Sequence, residues 1–232
     1  MWKASPGTLA GHDASLHASL DAAELARASG FLHDVDRARF LFSHGLLRAL
    51  AARYLGRPAA ALAFELGEFG KPQLAGADQG HLAFNMSHSG EVILLAFARS
   101  GRIGVDVERW SERLGEFEQV RIAASVFAAG EQAALAQVPA AHRRAAFYSV
   151  WTRKEAYLKA TGVGISRGLK HFEVSVHPEA ACLRSDTSLA TGVNDWRLLD
   201  LSVAQGYSAA LAMDIGAARI VTMAVDAALV PP

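Results

Sequence analysis

Apolar and polar positions change period several times along the chain, and each change marks an element. Residues 13–29 carry a helical period in one or two pieces, with Asp21 and Glu24 spaced as a capping box. From Asp34 to Leu55, Phe40, Leu41, Leu46, Leu47, Leu50 and Leu55 keep near-helical spacing, and Gly56, with Pro58 just beyond, closes a long helix. Strands are predicted at 62–68, 82–86, 91–98 and 102–108. Helix returns over 111–137, broken near Ala129-Gly130, and a second long helix covers 140–161, closed by Gly162 and Gly164. More strands are predicted at 171–176, 196–203, 207–213 and 219–225. A long helix followed by several strands therefore occurs twice. This predicts an α+β fold of two similar subdomains, residues 1–104 and 105–232, each a long helix on a mostly antiparallel sheet. Clefts form most often at domain interfaces, so a site is expected between the halves.

Composition narrows the function classes. The 232 residues are enough for one large or two small domains, and 51% hydrophobic content makes the chain globular. The formal net charge is zero, so no global field argues for nucleic acid or an anionic membrane. Basic residues cluster locally at Arg37, Arg39, Arg48, Arg53 and Arg57. The single cysteine, Cys182, excludes an internal disulfide, and it is expected to pack as a small hydrophobe. Met1 to Gly11 does not read as a signal peptide, and no apolar run reaches the roughly 20 residues that span a bilayer. A soluble, cytoplasmic protein without nucleic-acid or membrane partners is the expectation.

Three segments carry chemistry. In Trp151-Thr152-Arg153-Lys154-Glu155-Ala156-Tyr157-Leu158-Lys159, the residues Trp151, Glu155 and Lys159 recur every four, along one side of a helix. Trp151 can anchor that side while Glu155 and Lys159 project, either as a surface ion pair or as functional groups. In Ile103-Gly104-Val105-Asp106-Val107-Glu108, alternation sends Asp106 and Glu108 to one face and the valines into the core. That is either a solvated strand end or a pair of hard oxygen ligands for a divalent cation. In Asn85-Met86-Ser87-His88-Ser89-Gly90, hydroxyls and an imidazole crowd an expected tight turn. An anion cradle is favoured there over a nucleophile–base pair, since adjacent residues rarely hold the geometry that such a pair needs.

Together and in this order, the segments resemble the phosphopantetheinyl transferases of the larger single-chain class typified by the surfactin-synthetase activator. That family's patterns are approximately N-x-S-H-S, G-[VI]-D-[VI]-E and W-x-x-K-E-[AS]-x-x-K-x-x-G. All are complete here, as Asn85 to Ser89, Gly104 to Glu108 and Trp151 to Gly162, with Gly70-Lys71-Pro72 as a weaker feature upstream. The resemblance spans roughly residues 34 to 165. It implies a monomeric pseudo-dimer of the two α+β halves. The implied reaction is transfer of 4′-phosphopantetheine from coenzyme A to a serine of an apo acyl or peptidyl carrier protein, releasing adenosine 3′,5′-bisphosphate.

The residue roles follow from the same resemblance. Asp106, Glu108 and Glu155 would hold Mg²⁺. Glu155 would accept the serine proton, Lys159 would bind the diphosphate and steady the leaving group, and His88, beside Ser87, would donate to a diphosphate oxygen. Coenzyme A would be held by Lys71, Lys154, Arg39 and Arg48, the two arginines at its 3′-phosphate. Residues 122–131 depart from the family's usual A-x-R-F-F-S-x-x-E, keeping Phe127 and Glu131, so carrier preference is less defined than chemistry. An apolar groove rimmed by Arg121 is expected to take a carrier helix. Two alternatives stand beside this reading: another Mg²⁺-dependent phosphotransferase, and a relative that binds coenzyme A or a carrier without transfer.

Overall fold

The computed structural model describes residues 1–9, 12–68, 70–164, 168–189, 192–216 and 218–226. Gly11, Ile165 and residues 227–232, which close stretches read above, lie outside them. Local chemistry sets the helices. Asp21 accepts from the Glu24 amide (2.9 Å) and Glu24 from the Asp21 amide (3.1 Å), so the capping box opens α2 (Ala22–Ser29), which follows the short α1 (Asp13–Ala18). Two 22-residue helices, α3 (Asp34–Leu55) and α6 (Ala140–Thr161), end as the sequence predicts, at Gly56 (φ 66°) and Gly162 (φ 74°). Their left-handed backbone is one that glycine adopts without Cβ strain.

Two sheets carry the halves. The first has the order β11 (Met223–Ala224), β1 (Trp2–Ala4), β5 (Val92–Ala98), β4 (Ala83–Ser89), and the second β6 (Ile103–Arg109), β10 (Tyr207–Met213), β9 (Arg197–Asp200). All these pairings are antiparallel except β1 with β11. Alternation along the strands builds three core layers. Ile93 and Leu95 of β5 pack with Leu46, Leu47 and Leu50 of α3, while Val92, Leu94 and Ala96 turn to the other face. There they meet Val105 and Val107 of β6 and Leu211 and Met213 of β10. Ala210 and Ala212 of β10 point the opposite way, into the cluster around α6. The sheets thus press their inner faces together, and each carries its long helix outside. Burying side chains such as Leu94 and Leu211 stabilises the seam by about 1.5–3 kcal/mol each. The fold is the α+β pair of halves that the sequence predicts.

The structure amends several expectations. The 104/105 boundary falls inside β6, which belongs wholly to the second sheet; the chain changes sheets in the connection at 99–102. At the far end, β11 returns to the first sheet, so the halves are not sequentially closed. Helices α4 (Glu116–Val126) and α5 (Ala129–Gln137) take up the 111–137 stretch only from residue 116 onward, breaking at Phe127-Ala128. Two small hairpins, β2 (Phe64–Leu66) with β3 (Pro72–Leu74) and β7 (Phe172–Val174) with β8 (Leu183–Asp186), flank the sheets. Cys182 is exposed and does not pack in the core. No helix of the described residues is long and apolar enough to cross a membrane.

Candidate active site

The site lies where β4 meets β6. Ser87, His88 and Ser89 do not crowd a turn, as the sequence suggested; they extend β4, the chain reverses after them at Gly90-Glu91, and Ser87 and Ser89 thereby share one face of the strand with Asn85, which the sequence already placed in it. Their side chains cross to β6 in step: Val105 N donates to Asn85 Oδ1 (2.8 Å), Val107 N to Ser87 Oγ (3.3 Å) and Arg109 N to Ser89 Oγ (3.0 Å). The hydroxyls in turn donate to carboxylates, Ser87 to Asp106 Oδ1 (2.9 Å) and Ser89 to Glu108 Oε2 (3.1 Å). On its other side, β6 touches α6 backbone to backbone: a Cβ on Gly104 would stand 2.1 Å from Ala156 O and 2.3 Å from Ala160 N. That close approach brings Glu155 and Lys159 of α6 to the carboxylates of β6.

Lys159 Nζ donates to Asp106 Oδ1 (2.6 Å) and Ser87 Oγ (3.0 Å), so its bonded acid is Asp106 and not Glu155 one turn away on its own helix. Asp106 is 3% exposed, and its Oδ2 is buried with no hydrogen-bond partner. Burial raises the pKa of Asp106, against the pull of Lys159. Glu108 is raised by burial and then by the Asp106 charge, offset in part by the hydrogen bond from Ser89 and by the charge of Lys159. Glu155 is raised by burial and by the charges of Asp106 and Glu108. Three acids in one low-dielectric pocket with a single ammonium leave negative charge uncompensated. The orphaned oxygen and the all-oxygen donor set are what a hard divalent cation takes, so Asp106, Glu108 and Glu155 are the residues that could hold one. Among the described residues, however, no three His, Cys, Asp or Glu side chains form a finished ligand set.

The remaining expected site residues divide. His88 is solvent-accessible at the end of β4; partial desolvation and then the charges of Arg39 and Lys159 lower its pKa. Arg39, bonded to Asp36 (2.9 Å), is thus close enough for its charge to act on His88. Arg48 does not join them. It is fully buried, donating to Glu24 (2.7 Å), Asp21 (2.6 Å) and the carbonyls of Ala59 and Leu62, so four of its five N–H groups are spent inside the fold and none of the side chain faces solvent to meet a 3′-phosphate. Lys154 is likewise fully buried, against both Glu131 oxygens (2.6 and 2.7 Å) and Phe172 O (2.7 Å), out of reach of coenzyme A. Lys71 Nζ donates to Ile103 O (3.0 Å) and Ala160 O (3.4 Å) beside a cleft of about 500 Å³, and burial lowers its pKa to about 8.

Sequence reasoning assigned no role to Asn85, and it read Ser89 only as part of an anion cradle. The signal for the first was present: Asn85, Ser87 and Ser89 alternate with period two, as one face of a strand. Trp151 is half-buried and stacked on Phe147 (6.3 Å between ring centroids). On α4, Phe117 (70% exposed) and Val120 (57%) stand out to solvent, and Arg121 lies over the Phe117 ring.

Comparison with known proteins bears on this arrangement. A model of the 4′-phosphopantetheinyl transferase superfamily matches residues 102–212, and one of the 4′-phosphopantetheinyl transferase N-terminal region matches residues 2–100. The two matches meet at the connection where the chain changes sheets. The chain is 35% identical over 201 residues to the 4′-phosphopantetheinyl transferase HetI of Nostoc sp., covering 85% of this chain and 80% of that protein. It is 30% identical over 149 residues to the 4′-phosphopantetheinyl transferase Sfp of Bacillus subtilis, covering 64% and 63%. To AcpT of Salmonella typhimurium, a 4′-phosphopantetheinyl transferase, it is 41% identical over 98 residues, 41% of this chain and 47% of that one.

Proposed function

Because the chain belongs to the 4′-phosphopantetheinyl transferase superfamily, we propose that it moves 4′-phosphopantetheine from coenzyme A to a serine of an apo acyl or peptidyl carrier protein, with Mg²⁺ held by Asp106, Glu108 and Glu155. The observation that carries the metal-dependent reading is the buried, unpartnered Oδ2 of Asp106 amid three mutually repelling carboxylates.

The serine hydroxyl attacks the β-phosphorus of the diphosphate. A new P–O bond forms, the bridging P–O bond breaks, and adenosine 3′,5′-bisphosphate leaves. Such a step needs in-line positioning and neutralisation of charge more than covalent chemistry. Glu155, beside Asp106 and Glu108, takes the serine proton as general base. Lys159, held by Asp106 and Ser87, faces the diphosphate with a fixed charge. His88, its pKa lowered, is a neutral donor at neutral pH, and Arg39, whose charge acts on it, supplies positive charge toward coenzyme A. Mg²⁺, when bound, supplies Lewis-acid polarisation of the phosphoryl oxygens.

The test is the intact mass of an apo acyl carrier protein incubated with this protein, coenzyme A and Mg²⁺, with an EDTA control. A gain of one phosphopantetheine, lost with EDTA, is the expected result. No gain on fatty-acid, polyketide and peptidyl carriers would leave a coenzyme A- or carrier-binding relative as the better description.

A further inference from the structure

The edges of β4 and β6 that face each other have no main-chain ladder between them. β4 spends its main-chain pairing on β5, and β6 spends its own on β10. Two buried β6 amides, those of Val105 and Val107, would be left without acceptors, which costs too much to persist, and the exposed Arg109 amide continues their row. Instead Val105, Val107 and Arg109 donate to the side chains of Asn85, Ser87 and Ser89, at a constant offset of 20 residues. A constant offset means that the two strands run parallel, with alternate side chains of β4 standing in for its backbone.

Hydrogen-bond accounting then limits what the serines can do. A serine hydroxyl has one proton to give. Ser87 gives its proton to Asp106 while accepting from Val107 and Lys159; Ser89 gives its proton to Glu108 while accepting from Arg109. Neither retains a donor for a phosphate oxygen. We propose that Asn85, Ser87 and Ser89 are positioning residues: they form a side-chain ladder that stitches the two sheets and, through Ser87 and Ser89, sets the orientation of Asp106 and Glu108. This differs from the anion cradle that the sequence suggested for the same residues. It rests on the metal-dependent reading above as far as its effect on cation binding is concerned.

Ser89, half-buried at the open end, is the place to test it. Three quantities are compared among wild type, S89A and S89T: exchange of the Arg109 amide in metal-free protein, Mn²⁺ affinity by electron paramagnetic resonance, and the coenzyme A dissociation constant by calorimetry. In S89A the Arg109 amide should exchange several-fold faster while the Val105 amide is unchanged. Mn²⁺ binding should weaken about tenfold, the scale for losing an outer-shell partner of a metal ligand, with coenzyme A affinity within about twofold. S89T, which keeps the hydroxyl, should restore the first two. Weakened coenzyme A binding with unaltered Mn²⁺ affinity and Arg109 exchange would make Ser89 a ligand of the diphosphate and overturn the proposal. If the wild-type protein binds no Mn²⁺, the metal reading falls, and Arg109 exchange alone decides for or against the ladder.

Discussion

Replacing Gly104 with alanine tests the geometry most directly. The added methyl would lie 2.1 Å from Ala156 O, 2.3 Å from Ala160 N and 2.9 Å from Ala160 Cα, all backbone atoms of α6. Carbon needs more than 3 Å from such atoms, so strand and helix must part by roughly 1 Å, since a backbone carbonyl cannot swing aside as a side chain can. Overpacking of this kind costs about 1–3 kcal/mol, occasionally more. For a chain of this size each kcal/mol lowers the melting temperature by about 2–4 °C, so G104A should melt roughly 6–12 °C lower if the cost is near 3 kcal/mol. The same displacement separates Asp106 and Glu108 from Glu155 and Lys159, and a shift of about 1 Å at reacting groups can cost about a hundredfold in rate. Calorimetric melting and the initial rate of carrier loading measure the two effects. Near-wild-type melting and loading in G104A would refute the claim that strand–helix contact at Gly104 assembles the site.

Further outcomes follow from the same geometry. E155Q should lower carrier loading by about 10²–10⁴, the range for a general base, while calorimetric coenzyme A binding survives; unchanged loading would remove Glu155 from proton transfer. K154M leaves Glu131 buried without its ammonium and should cost about 3–5 kcal/mol in chemical denaturation, with coenzyme A affinity of the folded protein unchanged. Lys71, with its pKa lowered to about 8 from 10.5, loses its proton in the folded state before the unfolded chain does. Between about pH 8 and 10.5 the unfolded state therefore binds more protons, and stability should rise with pH relative to K71M; denaturation midpoints across that window would show the slope.

Much of the scaffold could be read from local chemistry. The bounds of α3 and α6 were legible because a closing glycine and an apolar spacing mark them, and the Asp21–Glu24 box marked α2. Elements that depend on distant partners were not. Trp2–Ala4 makes a strand only because β5 and β11 lie on either side, and Leu183–Asp186 only because β7 does. In the site, the alternation of Asp106 and Glu108 and the four-residue spacing of Glu155 and Lys159 brought forward groups that the fold does place together, since both follow from backbone period alone. Arg48 and Lys154 were misplaced for the converse reason. Their acids, Asp21 with Glu24 and Glu131, lie more than 20 residues away in sequence, and periodicity says nothing of such partners. The turn read at Ser87-His88-Ser89 failed because serine's preference for turns was overridden by amides of β6 that needed acceptors.

The parallel pairing of β1 with β11 has a consequence for synthesis on the ribosome. Met223 N bonds Met1 O and Val225 N bonds Lys3 O, so the first sheet is completed by residues made some 220 positions after its edge strand. At about 5–20 residues per second, that edge waits roughly 10–45 s for its cover. Through the part of that interval that follows the synthesis of β5 and its pairing with β1, the nascent first half offers an open strand edge to any other chain. The clasp that finishes the sheet is therefore also what ends its exposure, and translation speed through the second half governs how long the hazard lasts.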